Sequence, residues 1–197
     1  SRGADLTSPY AAGDQVLVFT GAMDYWPNID AVSWFAAEVL PKLRQRIPQL
    51  QFYIVGARPA AAVQALAKLE GVHVTGTVPD VRPYIAFAQV AVAPLRIARG
   101  IQNKVLEAMS MATPVVASSE ALEGIDAVHG TEVIRADGAA AFEDIIAALF
   151  GPDAHTRAAI GAAARARVEQ RYSWSSNLAR LEEKIEVKVD LEERTAC

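Results

Sequence analysis

The stretch from Gly100 to Glu107 contains residue types that suit a phosphate group and a pair of sugar hydroxyls. Gly100 allows a ligand to approach the backbone closely. Residues 102–111 have helical periodicity, so the free N–H groups of their first turn suit an anion. Lys104 adds a positive charge there, and Glu107, one turn further along, can accept hydrogen bonds from two hydroxyls. The pattern predicts a site for the diphosphate and ribose of a nucleotide.

The same residues also have a simpler interpretation. Lys104 and Glu107 are three residues apart, a spacing that is common for solvated ion pairs on helix surfaces. Gly100 would then be a turn residue with a structural role only. These residues alone leave both interpretations open.

Apolar runs on both sides of this stretch indicate the elements that position it. Strands and helices alternate along the whole chain, which predicts an α/β fold with a Rossmann-like, doubly wound parallel sheet of about six strands. In such a sheet the strand-to-helix loops lie at the carboxyl edge, where ligands bind. The predicted strands are 15–20, 51–55, 72–75, 90–93, 115–117 and 132–134, and the predicted helices are 29–46, 60–69, 81–87, 102–111, 140–150, 154–171 and 174–186.

Local signals mark where several of these elements begin and end. Asn28 is predicted to cap the first helix, Asp80 the third and Ser173 the last. Pro41 lies inside the first predicted helix and is expected to bend or divide it. Residues 120–131 are predicted to form a loop.

Length and composition indicate one globular domain with short tails. The chain has 197 residues, of which 52% are hydrophobic and 21% charged, enough to bury a full core. We expect a linker at residues 1–14, one domain at 15–186 and a disordered tail at 187–197. The linker-like start indicates a domain excised from a longer protein.

The composition also argues against several classes of function. A formal net charge of −4 argues against nucleic acid as a general partner. No apolar run approaches the ~20 residues of a membrane span. The single cysteine, Cys197, allows no internal disulfide, which fits a reducing compartment. His73, His129 and His155 are scattered without ligand spacing, so no metal site is expected.

Other residues are predicted to lie at the same sheet edge. Gly21 follows the first strand, but its loop lacks both the G-x-G-x-x-G and the P-loop patterns, which argues against nicotinamide binding and a P-loop. Arg58 follows the second strand and either reaches a base or phosphate or is an ordinary surface residue. The backbone amides of Thr77 and Val78, after the third strand, either read a base or form an ordinary turn.

Four segments together resemble a known family. They are VFTGAMDYWPNIDAV, IVGARP, VTGTVPDVRPYIA and PLRIARGIQNKVLEAMSMATPVVAS. In this order they resemble the C-terminal, donor-binding domain of GT-B glycosyltransferases of family 4, also called group 1. The resemblance is strongest to the sugar transferases found with exosortase (PEP-CTERM) exopolysaccharide systems. It covers about residues 15–186 and implies that the predicted sheet is the C-terminal half of a GT-B fold.

The resemblance also implies roles for individual residues. Glu107 would hold the donor ribose hydroxyls, and Thr77 and Val78 would lie near the base. Gly21 and Arg58 belong to the predicted donor-binding set. The loop and helix start that would face the diphosphate and the donor sugar comprise Arg99, Gly100, Ile101, Gln102, Asn103 and Lys104.

The predicted catalytic residues are Glu107, Lys104 and Arg99, of which the two cations would stabilise the departing diphosphate. The sequence departs from the family pattern at two points. Arg99 replaces the acid that family members often carry eight residues before Glu107, and residues 23–28 lack the cations that often follow the first-strand glycine. Lys104, Arg99 or Arg58 would supply the missing charge, and the donor sugar is not identified.

The function implied by the resemblance is that of a retaining glycosyltransferase, which moves a sugar from a nucleotide diphosphate sugar to a glycan or a lipid-linked acceptor. The nucleotide sugar is a substrate, and neither a cofactor nor a metal ion is expected. The acceptor would bind through an N-terminal domain missing from this chain, so the chain alone would bind donor with little turnover. We expect a cytoplasmic protein, with or without peripheral contact at the inner face of the membrane. Two alternatives remain open: a non-catalytic nucleotide-sugar-binding or scaffold domain, and a nucleotide-sugar 2-epimerase on the same architecture.

Overall fold

A computed structural model describes residues 6–151 and 154–172 as a six-stranded sheet flanked by helices. The strands are β1 (Gln15–Thr20), β2 (Leu50–Val55), β3 (Val72–Gly76), β4 (Val90–Ala93), β5 (Val115–Ala117) and β6 (Ile134–Arg135). The helices are α1 (Trp26–Trp34), α2 (Leu40–Arg46), α3 (Ala61–Leu66), α4 (Arg82–Phe87), α5 (Asn103–Ser110), α6 (Ser119–Leu122), α7 (Ala139–Leu149) and α8 (Ala154–Arg171), with a π-helical segment (Phe35–Val39) between α1 and α2.

The sheet is parallel throughout, in the order β3-β2-β1-β4-β5-β6. The chain builds outward from β1 to β3, returns to the other side of β1, and builds outward again from β4 to β6. The order of the strands therefore reverses between β1 and β4, which is the topological switch point where open α/β sheets bind ligands. The predicted α/β, Rossmann-like fold is confirmed.

The core explains why the strands are short, nearly continuous apolar runs. Helices α1, α2, α3 and α7 contact one another, as do α4, α5 and α8, and α7 also contacts α8. Consecutive residues of a strand point to opposite faces, so burial along the whole of a strand means that both faces of the sheet are covered. Residues 16–19 of β1 are almost completely inaccessible to solvent. Phe35 packs its ring against Phe52 of β2 and Phe142 of α7, with ring centroids 4.9 Å and 5.9 Å apart.

The long first helix differs from its prediction in where it begins. It starts at Trp26 with Tyr25 at the N-cap position, so the prediction that Asn28 caps it is wrong. Pro27 lies in the first turn, where a missing N–H removes no hydrogen bond, and this moves the start upstream. The predicted division near Pro41 is confirmed: the π-helical segment ends at Val39, and α2 begins one residue before the proline.

Other element boundaries agree closely with the sequence. β1, β4, β5 and α8 have the predicted bounds. The prediction that Asp80 caps α4 is wrong, because the helix begins at Arg82 with Val81 at the N-cap position. Asp80 still accepts the N–H of Arg82, at 2.9 Å. The predicted loop at 120–131 begins instead with α6, which Ser118 caps by accepting the N–H of Ala121. The cap predicted at Ser173, the helix at 174–186 and the tail at 187–197 lie outside the described residues.

Residues 6–14, within the predicted linker, contain no helix or strand but contact the domain. Tyr10 donates its hydroxyl hydrogen to the carbonyl of Tyr84 at 2.5 Å, and its ring lies 4.7 Å from that of Tyr53. Burial raises the pKa of Tyr10 well above its usual range. This tyrosine therefore joins the segment to the sheet.

Candidate functional site

A cleft of about 530 Å³ lies at the carboxyl edge of the sheet, on the switch point. Its walls come from the loops after β1, β2 and β3 and from the start of α5. This volume falls in the range of small-molecule sites, roughly 300–1,000 Å³. The predicted site residues that line it are Gly21, Thr77, Val78, Ile101, Gln102, Asn103, Lys104 and Glu107.

Two glycines allow the loops after β1 and β2 to meet at the base of the cleft. A Cβ atom on Gly56 would lie 1.6 Å from the carbonyl oxygen of Gly21, so no larger residue fits there without a backbone shift. A Cβ on Gly21 would lie 2.6 Å from the amide nitrogen Nδ2 of Asn28 and 3.5 Å from Cε of Lys104. Because Gly21 has no side chain, the side chains of Asn28 and Lys104 can occupy the space beside it.

Lys104 is the cation of the cleft. Its Nζ donates to Oδ1 of Asn28 at 2.5 Å and lies 4.7 Å from the ring centroid of Phe19, a cation–π contact. Burial lowers the pKa of Lys104 to about 8, and the nearby charge of Glu107 opposes that shift. Within the described part of the chain Lys104 forms no salt bridge. The site therefore holds a partly desolvated positive charge whose direct contacts are neutral.

Glu107 follows Lys104 by one turn of α5 and lines the same cleft. Glu107 is exposed to solvent, but partial desolvation of its carboxylate by the cleft raises its pKa, and the charge of Lys104 acts in the opposite direction. The other side of α5 anchors the helix, because Val105, Ala108 and Met109 are buried against the sheet. This amphipathic arrangement fixes the lysine and the glutamate on the cleft side.

The first turn of α5 is open to the cleft. No side chain caps it: Gln102, at the N-cap position, instead donates its side-chain amide to the carbonyl of Gly100 at 3.1 Å. Gly100 has a φ of 68°, a left-handed conformation that glycine adopts readily. The loop thus turns sharply into the helix and leaves the N–H groups of Asn103 and Lys104 at the end of the helix that favours anions.

Three of the predicted residues lie outside the cleft lining. Arg58 forms an exposed ion pair with Asp24, with Nε and Oδ2 2.5 Å apart, and this hydrogen bond lowers the pKa of Asp24. Arg99 and Gly100 are exposed in the loop between β4 and α5. The structure does not bring either arginine into contact with the cleft, and their roles stay predictions.

The sequence did not predict a site role for Asn28. Its side chain is 4% exposed and lines the cleft, where it also donates from Nδ2 to the carbonyl of Ala22 at 2.9 Å. The available signal was its position, seven residues after Gly21 at the end of β1. Tyr25 also lines the cleft, with a side chain that is 55% exposed.

Metal and membrane features are not found in the described residues. Residues 6–151 and 154–172 contain no group of three or more His, Cys, Asp and Glu side chains placed to hold a metal ion. In the same ranges, no helix combines the length and the apolar character needed to cross a membrane.

Residues 14–151, more than half of the chain, match the protein family described as glycosyl transferases group 1. The chain belongs to this family. No curated protein matches its sequence. The sequence resemblance to group 1 transferases is thereby confirmed at the level of the family.

Solved structures with the same fold include other glycosyltransferases. Alr3699/HepE from Anabaena, crystallised in complex with UDP and glucose, is 18% identical with a TM-score of 0.71, over 89% of this group 1 chain and 49% of that one. Sucrose-phosphate synthase from Thermosynechococcus elongatus is 20% identical with a TM-score of 0.69, over 91% and 47% of the two chains.

A third similar structure is the C-terminal domain of LpcC, a glycosyl transferase group 1 family protein from Francisella tularensis. It is 12% identical with a TM-score of 0.63, over 82% of this chain and 87% of that one. The chain thus spans about half the length of HepE and of sucrose-phosphate synthase. These likenesses show that the group 1 chain has the α/β, Rossmann-like fold of about half the length of GT-B glycosyltransferases.

Proposed function

We propose that the full-length protein is a retaining glycosyltransferase and that this chain supplies its donor site. The enzyme would move a sugar from a nucleotide diphosphate sugar to a glycan or a lipid-linked acceptor. One observation carries the proposal: Lys104, Glu107 and the uncapped first turn of α5 line one cleft at the switch point of the sheet. A cation, an anion-binding helix terminus and a carboxylate are the groups that a diphosphate joined to a ribose requires.

This geometry supports a placement of the donor. The carboxylate of Glu107 would accept hydrogen bonds from the ribose hydroxyls. The diphosphate would lie between the first turn of α5 and Lys104. The base would lie against the wall formed by Ala57, Thr77 and Val78, where backbone groups and a small apolar surface are available.

Catalysis in this arrangement depends on charge. When the bond between the sugar's anomeric carbon and the diphosphate oxygen breaks, negative charge develops on the departing diphosphate. Lys104 and the N–H groups of α5 would stabilise that charge, in a site that holds them in place before the reaction. Arg99, exposed beside the cleft, is proposed as a second cation.

The acceptor and the pathway belong to the same proposal. The four sequence segments support a role in exopolysaccharide biosynthesis with an exosortase system. The acceptor would bind through a further domain of the protein, as the length of HepE and sucrose-phosphate synthase supports. A cytoplasmic location, with or without peripheral contact at the inner membrane face, belongs to the proposal because nucleotide sugars are available there.

The test is a calorimetric titration of the full-length protein with UDP, GDP, ADP and CDP. We expect one of the four to bind, and Glu107→Ala to weaken that nucleotide by roughly 10- to 100-fold, because hydrogen bonds to a charged group are lost. Glu38→Gln, an exposed glutamate outside the cleft, is the matched control and should bind as the wild type does. Failure of all four to bind, or equal affinities for wild type and Glu107→Ala, would refute the proposal.

A second assay separates transfer from binding alone. The full-length protein is incubated with the diphosphate sugar of the bound base and an oligosaccharide or lipid-linked acceptor, and product is detected by mass spectrometry. Transfer that Lys104→Met abolishes supports the transferase. Binding without transfer supports the non-catalytic alternative, and conversion of the donor sugar without an acceptor supports the epimerase.

A further inference from the structure

The side chain of Asn28 is a buried polar group that faces the donor cleft from the side opposite α5. It lies in the first turn of α1, 76 residues away in sequence from Lys104, whose ammonium it contacts. Buried polar side chains need hydrogen-bond partners, since an unpaired one costs roughly 1–3 kcal/mol. Asn28 has two partners, and they belong to different walls of the cleft.

The chemistry of the partners fixes the orientation of the Asn28 amide. Lys104 has donors only, so Oδ1 must face its Nζ. Nδ2 then faces the carbonyl of Ala22, a pure acceptor in the loop after β1. One amide therefore links the cation on α5 to the backbone of the β1–α1 loop, across the two halves of the sheet.

The partner is neutral, and this affects what the lysine can do. An aspartate at position 28 would form an ion pair with Lys104 and reduce the charge that an incoming anion meets. The amide holds the ammonium in place and leaves its charge uncompensated. The ring of Phe19 on the other side is also uncharged.

The loop after β1 is adapted to this contact. A side chain at Gly21 would collide with Nδ2 of Asn28, so the glycine opens the space in which the amide and the lysine meet. Residues 23–28 contain no cation of their own. Lys104 therefore supplies a positive charge to this loop by reaching over from the far side of the switch point.

We infer that Asn28 is a positioning residue for the donor diphosphate, acting by holding the ammonium of Lys104 against the loop after β1. This inference rests on the proposed function, because it assumes that a nucleoside diphosphate occupies the cleft. In this role Asn28 acts through the lysine and not on the donor directly, so its contribution should appear only when Lys104 is present and only for ligands that carry phosphate.

A double-mutant cycle tests this on the full-length protein. The variants are Asn28→Ala, Lys104→Met and the pair together, and the probes are UDP, GDP, ADP and CDP with the corresponding nucleosides. We expect Asn28→Ala to lower the affinity for the nucleoside diphosphate roughly tenfold, which is the effect of losing one charge-assisted hydrogen bond. The corresponding nucleoside should bind the wild type and Asn28→Ala with equal affinity. In the Lys104→Met background, Asn28→Ala should change the affinity by less than about twofold.

The isosteric variant Asn28→Asp gives a second measurement, which does not depend on how well the alanine variant folds. Its carboxylate should lower the affinity for the nucleoside diphosphate at pH 7 by more than roughly tenfold, because it pairs with Lys104 and repels the ligand. An ion pair with this carboxylate would also raise the pKa of Lys104, so the loss of affinity that we expect for the wild type above pH 8 should occur at a higher pH in Asn28→Asp. The other ionisable groups near the lysine are Glu107 and Tyr25, which line the cleft, and Asp24 in the loop, which pairs with Arg58.

The outcomes separate the inference from the proposed function. If none of the four nucleotides binds the wild type, both are overturned. If a nucleotide binds but Asn28→Ala has no effect, weakens the nucleoside equally, or adds fully to Lys104→Met, the proposed function stands and the positioning role is wrong. A loss confined to the diphosphate and absent from the Lys104→Met background supports both.

Discussion

The surroundings of the Lys104 ammonium group suit a lysine that binds an anion. Its ammonium is largely removed from water, and its direct contacts are the amide of Asn28 and the ring of Phe19. Removal from water disfavours the charged form, which is why the pKa falls to about 8. A doubly charged diphosphate would restore the missing electrostatic stabilisation. A bound anion should therefore stabilise the charged form of Lys104 more than it would stabilise an exposed lysine.

This environment predicts a pH dependence of nucleotide binding. Lys104 is protonated below its pKa of about 8, so affinity for the diphosphate should be highest below pH 8. As the pH rises above 8, affinity should fall up to about tenfold per pH unit, until the higher pKa of the bound state is reached. Calorimetric titrations from pH 7 to 9.5 measure this.

The matched variant for the pH profile is Lys104→Met. It should bind weakly with a flat profile, which would assign the change to Lys104 and not to Glu107 or Tyr25 of the same cleft. A wild-type affinity that stays constant from pH 7 to 9.5 would show that the ammonium does not contact the ligand.

Single residues also show how far a local pattern can predict a site. A cation and a carboxylate three residues apart on an amphipathic helix are such a pattern, and the structure places Lys104 and Glu107 in one cleft. Asn28 was assigned to a helix cap, since its partner is 76 residues away and local propensity contains no trace of it. Arg58 was predicted to reach the site because it follows the second strand at the same sheet edge, but its side chain pairs with Asp24, 34 residues away.

At the scale of elements, the loops after β1 and β2 approach so closely that Gly56 should not tolerate a larger residue. Gly56→Ala would place a methyl group 1.6 Å from the carbonyl of Gly21, so the backbone must shift. We expect the free energy of unfolding to fall by about 3 kcal/mol or more, measured by urea denaturation. Nucleotide affinity should fall too, because the same loops form the base of the cleft.

The control for this prediction is Gly13→Ala. Gly13 has a φ of 92°, and no atom lies within 4 Å of the position that a Cβ would take, so only backbone strain opposes the change. We expect a loss of about 1–2 kcal/mol with nucleotide affinity unchanged. A Gly56→Ala variant no less stable than Gly13→Ala would contradict the steric account.

The elements also show which boundaries the sequence contained. The strands β1, β4 and β5 are apolar runs ended by glycine, proline or polar residues, so their bounds could be read directly. The start of α1 could not, because Pro27 and the burial of Asn28 override the local capping signal. The π-helical segment at Phe35–Val39 ends two residues before Pro41, and its Phe35 packs against two other phenylalanines. Periodicity reveals neither the segment nor the ring packing.

At the scale of the whole molecule, the cleft exists only in the folded sheet. Its walls come from loops after β1, β2 and β3 on one side of the switch point and from α5 on the other. Lys104 and Asn28 meet across that point, although they are far apart in the chain. An unfolded chain would bring none of these groups together, so a ligand of the cleft binds the folded state alone.

This predicts that the nucleotide selected by titration stabilises the chain. A ligand that binds only the folded state at 100 times its dissociation constant raises the free energy of unfolding by about 2.7 kcal/mol. Urea denaturation of the 197-residue chain with and without nucleotide measures the increase. At the same nucleotide concentration Glu107→Ala should show an increase smaller by about 1.3 kcal/mol or more, since its affinity is at least roughly tenfold lower. An equal increase in both proteins would mean that the nucleotide binds outside the cleft formed by α5 and the three strand ends.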